Sequence, residues 1–162
     1  MGCGLNIEGE TLLRSGARAD LWLRDLVRGT DQRFTTDASI NYAPVWSPRG
    51  DRIAFTSTRR GPSDLYQKPA SGTGQDQLPF ASRNYKVPSQ WSRDGRFIVY
   101  SEVDPKTRYD IWVLPMDGAA EQKPVPFLQS EFNELHGQLS PDSHWMAYTS
   151  DESGQREGTA RG

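Results

Sequence analysis

Three stretches of the chain carry the same phrase. Pro44-Val45-Trp46-Ser47-Pro48-Arg49-Gly50 runs into the apolar burst 52–57, Gln90-Trp91-Ser92-Arg93-Asp94-Gly95 into 96–101, and Gln138-Leu139-Ser140-Pro141-Asp142-Ser143 into 144–150. Trp46 to Trp91 is 45 residues and Trp91 to Leu139 is 48. A second phrase keeps step with the first: Asp20-Leu21-Trp22, Asp64-Leu65-Tyr66 and Asp110-Ile111-Trp112. The period is too long for a leucine-rich repeat and fits one four-stranded propeller blade. A repeat array divides its core among units that each need a neighbour, so the units matter more than the 162-residue length.

Within each copy the apolar residues alternate or run in bursts of four to six between Gly, Pro, Asp and Ser, and no segment sustains a helical period. The 15 Gly, 11 Pro and 17 aromatics (5 Trp, 6 Tyr, 6 Phe) suit a turn-rich sheet protein. The sequence predicts an all-β partial propeller, two complete four-stranded blades flanked by two incomplete ones. In one complete blade, strand A is 44–47, B 53–57, C 64–68 and D 77–80. In the other they are 89–92, 97–101, 110–114 and 125–128. At the front the reading finds strands B, C and D (11–15, 19–24, 32–36) with no strand A, and at the back A and B (137–140, 146–150). Strand C of the last copy is due near Glu157, where Glu157-Gly158-Thr159-Ala160-Arg161-Gly162 lacks its apolar signature. Residues 1–9 and 153–162 are therefore expected to be disordered, with the propeller over 10–152.

The phrases Pro-x-Trp-Ser-Pro-x-Gly, Ile-Ala-Phe-x-Ser-x-Arg-x-Gly and Asp-Leu-Tyr, carried by residues 44–61 and 64–66, resemble the TolB-type β-propeller repeat. Such repeats also form extracytoplasmic sensor domains of bacterial serine/threonine kinases, and similar propellers precede the hydrolase domain of prolyl oligopeptidase-like enzymes. The resemblance implies a periplasmic or extracytoplasmic parent and speaks to fold far more than to function. The third copy departs from it with Leu139 for the usual Trp and Ser143 for the usual Gly.

Charge and motifs narrow the functions. Lys plus Arg number 19 against 21 Asp plus Glu, scattered, which gives no footprint for nucleic acid. No apolar run approaches the roughly 20 residues of a membrane-spanning helix. The N-terminus has neither basic nor apolar leader regions, so the sequence as written reads as cytoplasmic. Cys3 is the only cysteine and makes neither an internal disulfide nor a thiolate metal site. No Gly-x-Ser-x-Gly elbow is present. The Ser-x-Asp turns at 92–95 and 140–142 faintly resemble the sialidase Asp-box, itself a structural turn.

In a propeller the D-to-A and B-to-C loops share one face and ring the channel mouth. Here they are polar. Tyr42, Tyr85, Arg59 and Arg83 are the candidate ligand-binding residues. Asn41, Asn84, Glu102, Asp104 and Asn133 offer the oxygen donors calcium prefers, against the alternative that Asn and Asp simply suit turns. Two functions follow. The leading one is a binding module presenting this face to a protein or small ligand; the other is a calcium-dependent hydrolase of small esters or lactones, with Glu134 or His136 as general base. Unfinished blades also predict self-association through open strand edges.

Overall fold

The computed structural model describes residues 4–5, 10–14, 19–74, 76–80, 82–116, 123–154 and 157–161. Its strands form four antiparallel sheets in chain order. The first holds β1 (Gly4–Leu5), β2 (Glu10–Arg14), β3 (Asp20–Arg24) and β4 (Asp31–Arg33); the second β5 (Asn41–Trp46), β6 (Arg52–Ser57), β7 (Asp64–Pro69) and β8 (Gln77–Phe80). The third holds β9 (Lys86–Trp91), β10 (Phe97–Asp104), β11 (Arg108–Pro115) and β12 (Val125–Leu128); the last β13 (Leu135–Leu139), β14 (Met146–Ser150) and β15 (Glu157–Arg161). Each sheet is an up-and-down meander, one blade per repeat.

The partial propeller agrees with the sequence, and the ends carry more strand than the side chains announce. β1 pairs with β2 at Gly4↔Thr11 and Leu5↔Glu10, supplying the strand A that the sequence lacks. β15 runs along β14 from Ser150↔Glu157 to Met146↔Arg161, where a disordered tail was expected. Three sheets are thus four-stranded and one three-stranded. The physical reason is that a ladder is made by backbone N–H and C=O groups, and a free strand edge pairs with any extended chain whatever its side chains. Residues 1–3, 6–9, 155–156 and 162, which also fall under the disorder expectation, lie outside the described residues.

Strands in the middle of the arc are buried on both faces, which is why they read as apolar bursts more than as strict alternation. In β6, Ile53 and Phe55 face one way and Ala54 the other. Leu21 and Phe34 of the first blade pack with Ile53, Phe55 and Tyr66 of the second. Ala54 and Leu65 of the second pack with Ile98, Tyr100 and Leu114 of the third, and Val99 and Ile111 of the third with Met146 and Tyr148 of the fourth. The apolar core is therefore three wedges, one between each pair of neighbouring blades. Trp46, Trp91 and Leu139, the marker residues of the repeat, close one wedge each. Trp22, on the face of the first blade turned away from the second, is 36% exposed.

The turn after each strand A is structural. Gly50 and Gly95 adopt φ of 70° and 78°, and Ser143 takes the same left-handed conformation at 58°. The Ser92 hydroxyl donates to Asp94 (2.7 Å) and accepts from the Phe97 amide (2.9 Å). Those bonds, the Ser92 hydroxyl first and then the Arg96 amide, lower the Asp94 pKa to about 2.

The inner strands of blades two, three and four each carry a β-bulge: β5 between Tyr42 and Val45, β9 opposite Val99 and Tyr100, β13 between Leu135 and Gln138. A bulge there adds twist where blades converge. In β13 it brings Gly137 so deep into the third wedge that an added Cβ would meet Met146 Sδ and Val99 Cγ1 at 3.0 Å and Ile111 Cγ2 at 3.2 Å. Gly137→Val is expected to overpack this wedge and cost roughly 1–3 kcal/mol. Urea denaturation checks this; an unchanged midpoint would show that blade three and blade four do not meet at this glycine.

Candidate functional site

The loops between β4 and β5, β8 and β9, and β12 and β13 share one face with those between β6 and β7, β10 and β11, and β14 and β15. The residues that point to a site lie here, and most of them bind one another. The Asn84 amide donates to Glu102 Oε1 (2.9 Å), and the Asn133 amide to Asp151 Oδ2 (2.6 Å). Asn41 Oδ1 accepts from Arg59 at 3.4 Å. In all three copies the partner is 18 residues further along. Each asparagine thus ties the D-to-A loop to the B-to-C loop of its own blade.

Arg59 is a brace. Its guanidinium bonds Asp37 Oδ2 (3.0 Å), Ser57 Oγ (3.0 Å) and Asp76, and lies 4.4 Å above the Tyr66 ring. That arrangement spans the first two blades and leaves its donors engaged. Asp37 is held below the usual carboxylate range: hydrogen bonds from Ser39 and the charge of Arg59 outweigh burial, the largest single effect. Tyr42 donates its hydroxyl to Ser63 Oγ at 3.0 Å. Asp104 caps its own turn, accepting from the Lys106 amide at 2.7 Å. Glu102 is buried beside Tyr100, whose hydroxyl pKa is raised by burial first and by that carboxylate second.

The expected calcium donors thus each have a hydrogen-bond partner within their own blade. Asn41, Asn84, Glu102 and Asn133 are engaged within separate blades, and Asp104 turns back on its own loop. Among the described residues no group of three or more His, Cys, Asp or Glu side chains is placed to hold a metal ion. Of the proposed bases, His136 is exposed on the bulge of β13 at φ 57°, whereas Glu134 is buried. Burial raises the Glu134 pKa, with Asp110, Asp151 and Glu152 adding to the rise and the Ser130 hydroxyl opposing it. Arg83 and Tyr85 remain: both are exposed, Tyr85 by 55%.

What the sequence reading missed is Lys86, and the position five residues before each strand-A marker that it shares with the candidates Asn41 and Glu134. Asn41, Lys86 and Glu134 stand there, exposed 0%, 0% and 2%. The backbone N–H of each crosses to the preceding blade: Asn41 to the Ala19 carbonyl (2.7 Å), Lys86 to Ser63 (2.8 Å), Glu134 to Tyr109 (2.7 Å). Each accepting carbonyl immediately precedes the Asp of the second repeated phrase. Lys86 Nζ then completes a buried ion pair with Asp64 Oδ1 at 2.7 Å. The equal offset from Trp46, Trp91 and Leu139 was the available signal.

A model of the TolB beta propeller domain matches residues 10–157. Tricorn protease homolog 1 of Streptomyces coelicolor is 30% identical over 105 residues, 63% of this chain and 10% of that protein. The Tol-Pal system protein TolB of Anaeromyxobacter dehalogenans is 32% identical over 104 residues, 64% of this chain and 23% of that one. The chain thus spans under a quarter of the length of these relatives. Among solved structures, TolB from Acinetobacter baumannii superposes with a TM-score of 0.83 at 18% identity, over 99% of this chain and 40% of its own. A TolB of Agrobacterium tumefaciens gives 0.81 at 21% identity, over 98% and 56%. At that identity the superpositions speak for the fold, and they agree with the repeats, the blade meanders and the matched span: the chain belongs to the TolB beta propeller domain family.

Proposed function

We propose that the chain is a protein-interaction module whose contact surface is the face formed by its D-to-A and B-to-C loops. The observation that carries this reading is the division of labour among the loop residues. Asn41, Arg59, Asn84, Glu102 and Asn133 hold the loops in place, while Arg83 and Tyr85 stand free of that bracing in solvent. A rigid frame presenting an exposed Tyr beside an exposed Arg has the residue types that dominate protein contacts. The naming of TolB as a Tol-Pal system protein supports a partner of protein class. The family resemblance also supports a periplasmic or otherwise extracytoplasmic parent. No helix among the described residues is long and apolar enough to cross a membrane. Self-association through the outer edge of β15 belongs to the same reading, because among the described residues that strand pairs on one side only. The calcium-dependent ester or lactone hydrolase gains no support from donors already engaged within separate blades.

A photoreactive amino acid placed at Tyr85, and in a second variant at Arg93 on the opposite face, tests the proposal in cells. Protein cross-links from position 85, lost on adding Arg83→Ala, with none from position 93, are expected. Cross-links from position 93 alone, or from neither, would contradict it.

A further inference from the structure

The interface between blades three and four contains a pair of carboxylates where its neighbour contains an ion pair. Glu134 stands at the repeat position of Lys86, and Asp110 at that of Asp64. Between blades two and three, the Lys86 ammonium is buried and bonds both Asp64 Oδ1 (2.7 Å) and the Asn84 carbonyl (3.0 Å). One repeat later Asp110 and Glu134 are 0% and 2% exposed. Each has one oxygen engaged. Asp110 Oδ2 accepts from Thr107 Oγ1 (2.6 Å) and Gln129 Nε2 (3.2 Å), and Glu134 Oε1 from Ser130 Oγ (2.6 Å). The other oxygens, Asp110 Oδ1 and Glu134 Oε2, are buried with no hydrogen-bond partner among the described residues. Carboxylates are taken out of water only when paired, hydrogen-bonded or coordinated to a metal.

We propose that Asp110 and Glu134 form a calcium site that locks blade four to blade three in the place of the missing lysine. The argument is one of charge and donor type. Lys86 balances one carboxylate with one positive charge, whereas two carboxylates buried in one interface call for two. The donors are hard oxygens, which favour calcium or magnesium over zinc or copper. Calcium accepts carboxylate, hydroxyl and backbone carbonyl oxygens in irregular number, while magnesium demands a near-ideal octahedron and keeps several of its waters. The Phe132 carbonyl, two residues before Glu134 as Asn84 is two before Lys86, is the backbone donor in register. This donor set is separate from the loop asparagines: it lies between blades, and its effect is on stability.

The test is calorimetry and thermal melting of the full chain after chelation, with calcium, magnesium or sodium added back. Calcium is expected to bind one to one and raise the melting temperature by several degrees at millimolar concentration, with little response to magnesium or sodium. Glu134→Lys, which restores the ion pair of the preceding interface, is expected to melt no lower than the calcium-free parent and to lose the calcium response. An unaltered chain that takes up no calcium, and whose stability instead rises as pH falls, would overturn the proposal in favour of a proton shared by the two carboxyls. Calcium binding that persists in Glu134→Lys would overturn it by placing the ion elsewhere.

Discussion

Replacing Trp91 with alanine is expected to cost about 3–5 kcal/mol. Against a total stability on the order of 5–15 kcal/mol, a loss of that size removes most or all of the folded state. Trp91 lies against the wedge of Ala54, Leu65, Ile98, Tyr100 and Leu114, which draws on two blades, and its indole N–H donates to the Gly95 carbonyl at 3.2 Å. Truncation therefore empties the middle wedge and frees the turn that starts β10. The middle wedge matters most because the blades on both sides of it are inner members of the arc. Circular dichroism melting checks the expectation; a native transition within a few degrees of the parent would place the Trp91 ring outside the interface.

Lys86→Ala is expected to cost a similar amount, about 3–5 kcal/mol, for an electrostatic reason: removing one member of a buried pair strands the other. Asp64 is 4% exposed and would be left in the interface without the ammonium. The double variant Lys86→Met, Asp64→Leu removes both charges and is expected to recover most of the loss, since burying an ion pair repays little beyond its own desolvation. Urea denaturation of the two variants separates the cases. A single variant as stable as the parent would mean that water reaches the pair.

The repeats made the blades legible, because Trp46, Trp91 and the Asp-Leu-Tyr phrase are side chains that packing selects. β1 and β15 escaped because a strand edge selects backbone. Gly158 and Thr159 carry no apolar signature, yet both pair with β14. The loops were legible as polar and not as braces. An asparagine facing a ligand and one facing its own neighbouring loop look alike in sequence, and Asn41, Asn84 and Asn133 proved to be the second kind. The buried interface position was harder still. A lysine such as Lys86 is by default a surface residue. The aspartate brought to it from the preceding blade, with the Asn84 carbonyl, compensates its burial, and that pairing is a property of the fold.

One repeat position stitches every pair of neighbouring blades together through the backbone, and amide hydrogen exchange at Asn41, Lys86 and Glu134 measures that stitching most directly. Each of these N–H groups donates across a blade boundary, at 2.7, 2.8 and 2.7 Å respectively. All three are expected to be protected from exchange to the level of the central strands β6 and β10, opening only with the cooperative unfolding of the arc. Exchange of any of them at the rate of an exposed loop amide would show that its blade boundary is open in solution, and would contradict an arc locked at that position.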